Sequence, residues 1–239
     1  MSRLILVPCG KCAWEDEKRL TGWSDIDLHK DGLKEARRTG KALKKAGITL
    51  DKAYTSSLKR TRISLDEILD AMDCGKPEIV HDWRLNPRHL GALEGQKEDE
   101  LREQFGDRIV DGWTSGTSRP PRLSAQDARR TSISLDTDND LPRAETGPEA
   151  EERICRYFEE VIRPDLEAGD NVLVVGHEKI LASLEDYLSR LQKEQQKRTK
   201  AQVYSFEGDL PLHHCFLSET PEDFAFVSPQ KAKKARRHA

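Results

Sequence analysis

Arg3-Leu-Ile-Leu-Val-Pro-Cys-Gly10, close to the start of the chain, is a short apolar run that ends at a proline and a glycine. A continuous run of this length is typical of a central strand that is buried on both faces. Asn171-Val-Leu-Val-Val175 is a second run of the same kind, far along the chain. We therefore predict that both runs lie in the interior of a sheet.

Between these runs, apolar residues recur every three or four positions, which is the spacing of amphipathic helices. Strand and helix patterns alternate along the chain, so we predict an α/β fold of three layers, with a mixed, mostly parallel sheet between helices. The further predicted strands are 51–56, 78–81 and a closing hairpin of 202–206 with 213–217, and the predicted helices are 30–46, 58–72, 98–105, 154–166 and 180–195.

The composition is that of a soluble protein with a mixed surface charge. The chain has 239 residues, with 40 Lys and Arg against 43 Asp and Glu and a net charge of −3, so the overall charge lacks the excess of cations that dedicated nucleic-acid binders carry. No apolar run approaches the roughly 20 residues that span a bilayer, and the start lacks a signal-peptide pattern. We expect an intracellular protein, in the cytoplasm or an organelle interior, with its five cysteines reduced.

One domain is predicted over residues 1–226, with an irregular insertion at about 107–147 and a basic tail at 227–239. Within the insertion, the stretch 115–130 contains four arginines among Ser, Pro and Gly residues: Arg119, Arg122, Arg129 and Arg130. Lys231-Ala-Lys-Lys-Ala-Arg-Arg-His-Ala239 places five cations at the end of the chain. Such a tail predicts contact with RNA phosphates or an acidic protein surface, although a solubilising terminus or a localisation signal has the same pattern.

A family resemblance is carried by four segments in order and spacing: Leu20-Thr-Gly-Trp-Ser-Asp-Ile-Asp-Leu28, Ala53-Tyr-Thr-Ser-Ser-Leu-Lys-Arg60, Trp83-Arg-Leu-Asn-Pro-Arg-His-Leu-Gly-Ala-Leu-Glu-Gly95 and Asn171-Val-Leu-Val-Val-Gly-His177. Over about residues 3–226 the chain resembles the cofactor-dependent phosphoglycerate mutases of the histidine phosphatase superfamily. The resemblance implies a pocket in which a neutral His attacks a phosphoryl group. It also implies that Arg side chains and a second His hold the phosphoryl oxygens, while a Glu handles the proton.

At three of the positions that the resemblance marks as catalytic, this chain carries other residues. Pro8 stands at the position of the phosphate-binding Arg, Cys9 at that of the nucleophilic His, and Pro87 at that of the acid–base Glu. His177 is retained, and Arg60, Thr21 and Gly22 are expected to remain from the anion site. The other changed positions are Glu15 (Asn in the family), Leu90 (Tyr), Glu98 (Lys), Thr114 and Ser115 (two Arg), and Glu178 and Lys179 (Gly-Asn), and the segment between Tyr187 and Val203 is shortened.

These replacements predict that no intact catalytic site is present, because removing the nucleophile of a cooperating set costs about as much as removing the whole set. We expect a pseudoenzyme that acts as a scaffold or binding subunit, for example in a ribonucleoprotein assembly. The alternative is residual phosphoglycerate mutase or histidine-phosphatase activity that depends on His177. The other interpretation of His177 is a structural, hydrogen-bonded residue, and that of Arg60 is a surface ion pair.

Cys9-Gly-Lys-Cys12 leaves a second alternative open, a redox or metal-binding protein with a Cys-x-x-Cys motif. Cys9, Cys12 and His177 are three candidate zinc ligands, but the sequence offers no evident fourth. A cysteine phosphatase is excluded, because Glu15 occupies the position where that mechanism needs an Arg. We expect no cofactor and no metal; the expected partners are proteins, RNA or an acidic surface at 231–239, and a second copy of the chain, but no membrane.

Overall fold

The computed structural model describes residues 2–73, 75–124, 141–196, 214–218 and 224–227, and within them strands and helices alternate as predicted. Its strands are β1 (Arg3–Pro8), β2 (Lys52–Thr55), β3 (Glu78–His81), β4 (Val172–Gly176), β5 (His214–Ser218) and β6 (Phe224–Val227). Its helices are α1 (Lys30–Lys45), α2 (Lys59–Met72), α3 (Glu98–Phe105), α4 (Asp107–Ser115), α5 (Gly147–Tyr157), a π-helical segment (Phe158–Ile162), α6 (Arg163–Ala168) and α7 (Glu178–Gln196).

The six strands form one sheet in the order β3-β2-β4-β1-β5-β6. The four strands β1 to β4 are parallel, whereas β5 pairs antiparallel with β1 and with β6. The predicted α/β fold with a mostly parallel sheet is therefore confirmed. Because the strands are parallel, the carboxyl ends of β1, β2 and β4 lie side by side at one edge of the sheet, and the loops after them meet there.

Each face of the sheet is covered by a separate apolar cluster. Side chains alternate between the faces of a strand, so Ile5 and Val7 of β1 pack against α1 and α2, while Leu4 and Leu6 pack against α5, the π-helical segment and α7. All four side chains are almost completely buried. This explains why the four consecutive residues Leu4 to Val7 are all apolar.

The structure departs from the sequence predictions in two elements. Residues 107–115, predicted as irregular, form α4, and the helix predicted from 154 begins at Gly147, where Thr146 and Glu149 form a reciprocal capping box. Of the predicted closing hairpin, β5 lies at 214–218, close to the predicted 213–217, and pairs with β1 and β6; the segment 202–206 lies outside the described residues. The tail at 231–239 also lies outside them.

Among the described residues, no helix is both long enough and apolar enough to cross a membrane.

Candidate functional site

A cavity of about 810 Å³ lies at the carboxyl ends of β1 and β4. It gathers residues that are widely separated in the sequence, because the loops after the parallel strands converge at this edge. Every position singled out from the sequence as catalytic or anion-binding contributes to its wall: Pro8, Cys9, Glu15, Thr21, Gly22, Arg60, Pro87, Leu90, Glu98, Thr114, Ser115, His177, Glu178 and Lys179.

Cys9 follows the last residue of β1 and is held at the floor of this pocket. Its backbone N–H donates to the carbonyl of Gly176 at 2.7 Å, and its Sγ lies 3.9 Å from Nδ1 of His177. Burial raises the pKa of the thiol to about 12, which outweighs the opposing effect of the Arg60 guanidinium. Cys9 is therefore a protonated thiol at neutral pH, and a thiol is a poor nucleophile until it ionises.

His177 directly follows β4 and is 7% exposed. Its Nε2 lies 3.1 Å from the hydroxyl oxygen of Ser56, and its Nδ1 faces the sulfur of Cys9. Burial, together with the positive charges of Arg60 and Arg153, holds the pKa of the imidazole well below its usual range. His177 is therefore a neutral ring with a polar neighbour at each nitrogen, in agreement with the structural interpretation.

Arg60 lies in the first turn of α2 with only 3% of its surface exposed. Its two terminal nitrogens donate to the backbone carbonyls of Ser24 and Gly22, both at 2.8 Å. The alternative interpretation of Arg60 as part of a surface ion pair is therefore wrong: the guanidinium is buried and binds the 22–24 loop. Only two of its five N–H donors are used in these contacts, and the side chain still lines the pocket.

Gly22 is positioned by the same loop. Its φ of 47° lies in the left-handed region, and a Cβ at this position would clash with the carboxyl group of Glu94. Glu94 in turn accepts from the backbone N–H of Leu90 at 3.0 Å, and its carboxylate lies 2.9 Å from Nδ1 of His89. A glycine is thus required at this position by the packing of the loop.

Pro87 lies in a loop whose backbone carbonyls are bound by Arg153 of α5. Arg153 donates to the backbone carbonyls of Arg84, Asn86 and Pro87 and pairs with Glu145 at 2.7 Å, and both side chains of that pair are nearly buried. The Pro87 carbonyl also accepts from the indole of Trp23 at 2.6 Å. Arg153 and Glu145 could not be found from the sequence, since a charged residue in an amphipathic helix, or in the loop before it, gives no signal of burial.

The pocket wall has mixed charge, and several of its cations are already occupied. Arg88 donates to the carbonyls of Trp113 and Thr114, and Lys11 pairs with Asp16. Four carboxylates share the wall with the cations: Glu15, Glu35, Glu98 and Glu178. The wall therefore combines cations that already contact other groups of the protein with carboxylates that would repel an anion.

The Cys-x-x-Cys motif forms neither a disulfide nor a metal site in the part of the chain that the structure describes. Cys9 and Cys12 are free thiols, and no three His, Cys, Asp or Glu residues come together as metal ligands there. The three candidate zinc ligands Cys9, Cys12 and His177 are therefore not assembled into a metal site among the described residues. Burial and the nearby Glu15 carboxylate raise the pKa of Cys12, whereas a reactive dithiol needs a lowered pKa.

Comparisons with known proteins agree with this geometry. A family model described as the histidine phosphatase superfamily (branch 1) matches residues 4–207. A relative from Hamiltonella defensa named 2,3-bisphosphoglycerate-dependent phosphoglycerate mutase is 35% identical over 233 residues, which cover 93% of this chain and 94% of that protein.

Two solved structures share the fold at low sequence identity. Phosphoglycerate mutase from Bacillus anthracis strain Sterne has a TM-score of 0.63 and 20% identity, with 95% of this chain and 92% of that chain covered. A mycobacterial glucosyl-3-phosphoglycerate phosphatase has a TM-score of 0.59 and 16% identity, with 96% and 98% covered.

Proposed function

Since this chain belongs to branch 1 of the histidine phosphatase superfamily, we propose that it keeps the family's pocket but not its phosphoryl-transfer chemistry, and acts as a binding subunit or scaffold. One observation carries the proposal: where the resemblance places a neutral His nucleophile, the pocket holds the half-buried thiol of Cys9. Its raised pKa keeps this thiol protonated at neutral pH. The position thus lacks a group that can accept a phosphoryl.

The surrounding charges support the same proposal. A transferring phosphoryl group carries negative charge on its oxygens, and each well-placed donor contributes about 3 kcal/mol to stabilising its transition state. Pro8 contributes no guanidinium and Pro87 contributes no carboxyl group to this pocket. Arg60 remains, but it is engaged with two backbone carbonyls.

Labelling with radioactive 2,3-bisphosphoglycerate tests the proposal. We expect no acid-labile phosphoryl adduct on the wild-type protein. The matched control is the variant Pro8→Arg/Cys9→His/Pro87→Glu, which restores the three family residues in the same scaffold and is expected to become labelled. A stable adduct on the wild-type protein would overturn the proposal, and mass spectrometry would then identify the residue that carries it.

Residual mutase or phosphatase activity is a second candidate, favoured by the 35% identity to a relative named as a phosphoglycerate mutase. His177 is then the remaining histidine of the site, and His177→Ala would abolish hydrolysis of a phosphorylated substrate. His81→Ala, on the exposed surface of β3, is the control and would leave the rate unchanged. Hydrolysis that persists after His177→Ala would exclude this candidate.

As a scaffold, the chain would function inside a larger assembly, and we propose a ribonucleoprotein as the kind of assembly. The supporting observation is that the fold is kept while the pocket has lost its nucleophile. A protein that only binds a partner needs the fold but does not need the nucleophile. Affinity purification from the native cell tests this directly. Recovery of the chain without RNA or protein partners would contradict it.

A further inference from the structure

Helix α1 exposes a continuous cationic face. Seven of its sixteen residues are Lys or Arg, and all seven are exposed: Lys30, Lys34, Arg37, Arg38, Lys41, Lys44 and Lys45. At 3.6 residues per turn they fall within an arc of about 120°, opposite the buried face, and they extend over about 22 Å of the helix axis. The two acidic residues of α1, Asp31 and Glu35, lie beyond one edge of this arc.

Three of the seven cations have acidic partners. Arg37 and Lys44 pair with Glu67 and Asp73 at the neighbouring helix α2, and Lys34 pairs with Asp31 at 2.8 Å. The other four make no ion pair with any residue that the structure describes: Lys30, Arg38, Lys41 and Lys45. The face therefore presents four uncompensated positive charges to solvent.

Helix stability does not account for this arrangement. Like charges four residues apart destabilise a helix, and the face contains four such pairs, Lys30 with Lys34, Lys34 with Arg38, Arg37 with Lys41 and Lys41 with Lys45. Lys30 also sits at the N-terminal end, where the helix dipole disfavours a cation, and only Lys44 and Lys45 are placed favourably. Seven cations are thus placed on one helix face, in a chain with a net charge of −3, against the preference of the helix.

We propose that this face of α1 binds the phosphodiester backbone of a nucleic acid, RNA in the assembly proposed above. Point charges at intervals of about one helical turn suit a row of phosphates and need no further contact to bind them. Protein interfaces instead centre on aromatic or apolar anchors. Among the described residues, the exposed large hydrophobic side chains are Ile79, Phe105 and Ile109, none of which is on α1. Without groups that read base edges, the contact is independent of sequence.

The inference extends the proposed scaffold role by naming its partner. Arg38 also lines the cavity, but the test measures nucleic-acid affinity and is therefore separate from the phosphoryl-labelling test of the pocket. The full chain is titrated with a labelled poly-uridine strand, and its affinity is followed against salt. The face variant is Lys30→Gln/Arg38→Gln/Lys41→Gln/Lys45→Gln. The matched control removes four exposed cations elsewhere, Lys76→Gln/Arg108→Gln/Arg156→Gln/Lys193→Gln, so that net charge and the basic C-terminal residues are the same in both variants.

We expect the wild-type chain to bind the strand with a strong salt dependence. The face variant should lose about tenfold or more in affinity, and its slope of log affinity against log salt should fall by about 3, at about 0.7 per lost phosphate contact for a single strand. The control variant should keep the wild-type slope. A DNA strand of the corresponding sequence should bind through the same residues, and tighter RNA binding would assign the biological ligand to RNA.

Several outcomes would overturn the inference. These are wild-type protein that does not bind, equal losses in both variants, poly-glutamate binding that matches RNA binding, or a salt-sensitive dimer that the face variant dissociates. Because the four side chains are exposed and unpaired among the described residues, we expect the face variant to keep its helical circular dichroism. If it unfolds, the double variant Lys41→Gln/Lys45→Gln provides the same test with half the slope change.

Discussion

At Cys9, the backbone contact that supports the fold is independent of the side chain that determines reactivity. The backbone contact of Cys9 with Gly176 ties the end of β1 to the end of β4, and this contact does not depend on the side chain. The side chain in turn is set by its surroundings, since burial against His177 keeps the thiol protonated. Fold and reactivity are therefore separable at this residue.

The raised pKa of Cys9 predicts a loss of stability in alkaline solution. The thiol ionises near pH 9 in the unfolded chain but only near 12 in the folded one, so its contribution is complete below pH 9 and is lost as the pH rises through this window. Urea denaturation should show that wild type loses about 2 kcal/mol more than Cys9→Ala between neutral pH and a pH of about 10.5. Identical pH profiles for the two proteins would show that the thiol ionises freely.

The lowered pKa of His177 predicts a loss of stability in acid solution. Below about pH 6.5 the imidazole binds a proton in the unfolded chain but stays neutral in the folded one, so the free energy of unfolding decreases as the pH falls. His177→Gln should lose less stability than wild type between neutral pH and about pH 5, as measured by denaturant midpoints. An unchanged acid limb in this variant would contradict the burial of a neutral ring.

At the scale of elements, the contact between α1 and α2 depends on Gly40. This residue is in the interior of α1, where alanine would ordinarily stabilise a helix by about 1 kcal/mol. Here a Cβ would clash with the backbone carbonyl of Ile68 in α2 and crowd Ala71. We therefore expect Gly40→Ala to lower the free energy of unfolding by about 1–3 kcal/mol.

A matched control for Gly40→Ala is Lys41→Ala, one residue further along on the exposed side of α1. It should change the free energy of unfolding by less than about 0.5 kcal/mol. A gain in stability for Gly40→Ala would mean that the two helices separate easily, and that their packing is looser than described.

The elements that were predictable from sequence are those with a clean periodicity. The runs at 3–10 and 171–175 gave the central strands, and the helices at 30–46 and 58–72 were placed to within about two residues. Helix α4 was missed because its nine residues contain only one buried apolar side chain, Val110. The start of α5 was missed because the Thr146 and Glu149 capping signal precedes the first strongly apolar position.

At the scale of the whole molecule, the buried pair of Arg153 and Glu145 connects α5 to the loop that carries Pro87. The pair is almost inaccessible to solvent, and Arg153 also binds three backbone carbonyls of that loop. Removing Arg153 would leave the Glu145 carboxylate buried without its partner. We expect Arg153→Met to lower the free energy of unfolding by about 3–5 kcal/mol.

The double variant Arg153→Met/Glu145→Gln distinguishes the effect of the unpaired carboxylate from the effect of the lost carbonyl contacts. It removes the uncompensated carboxylate and should recover part of the loss, as measured by thermal denaturation. If the double variant is as unstable as Arg153→Met alone, the loss comes from the carbonyl contacts of the loop rather than from the ion pair.

For the candidate site, the sequence predicts which residues come together but not the contacts that they make. Spacing against a known family placed Pro8, Cys9, Pro87 and His177 together, and they do line one cavity. The sequence could not show that Arg60 is engaged with the carbonyls of Gly22 and Ser24, since that depends on how the 22–24 loop folds back. The protonation of Cys9 likewise depends on burial, which is a property of the assembled molecule.

The proposal that this member of the family has lost phosphoryl transfer can be tested by measuring turnover. Purified wild-type protein is assayed with 3-phosphoglycerate and 2,3-bisphosphoglycerate in a coupled mutase assay, beside the variant Pro8→Arg/Cys9→His/Pro87→Glu. We expect a wild-type rate equal to the enzyme-free blank. Normal mutase turnover by the wild-type protein would contradict the proposal.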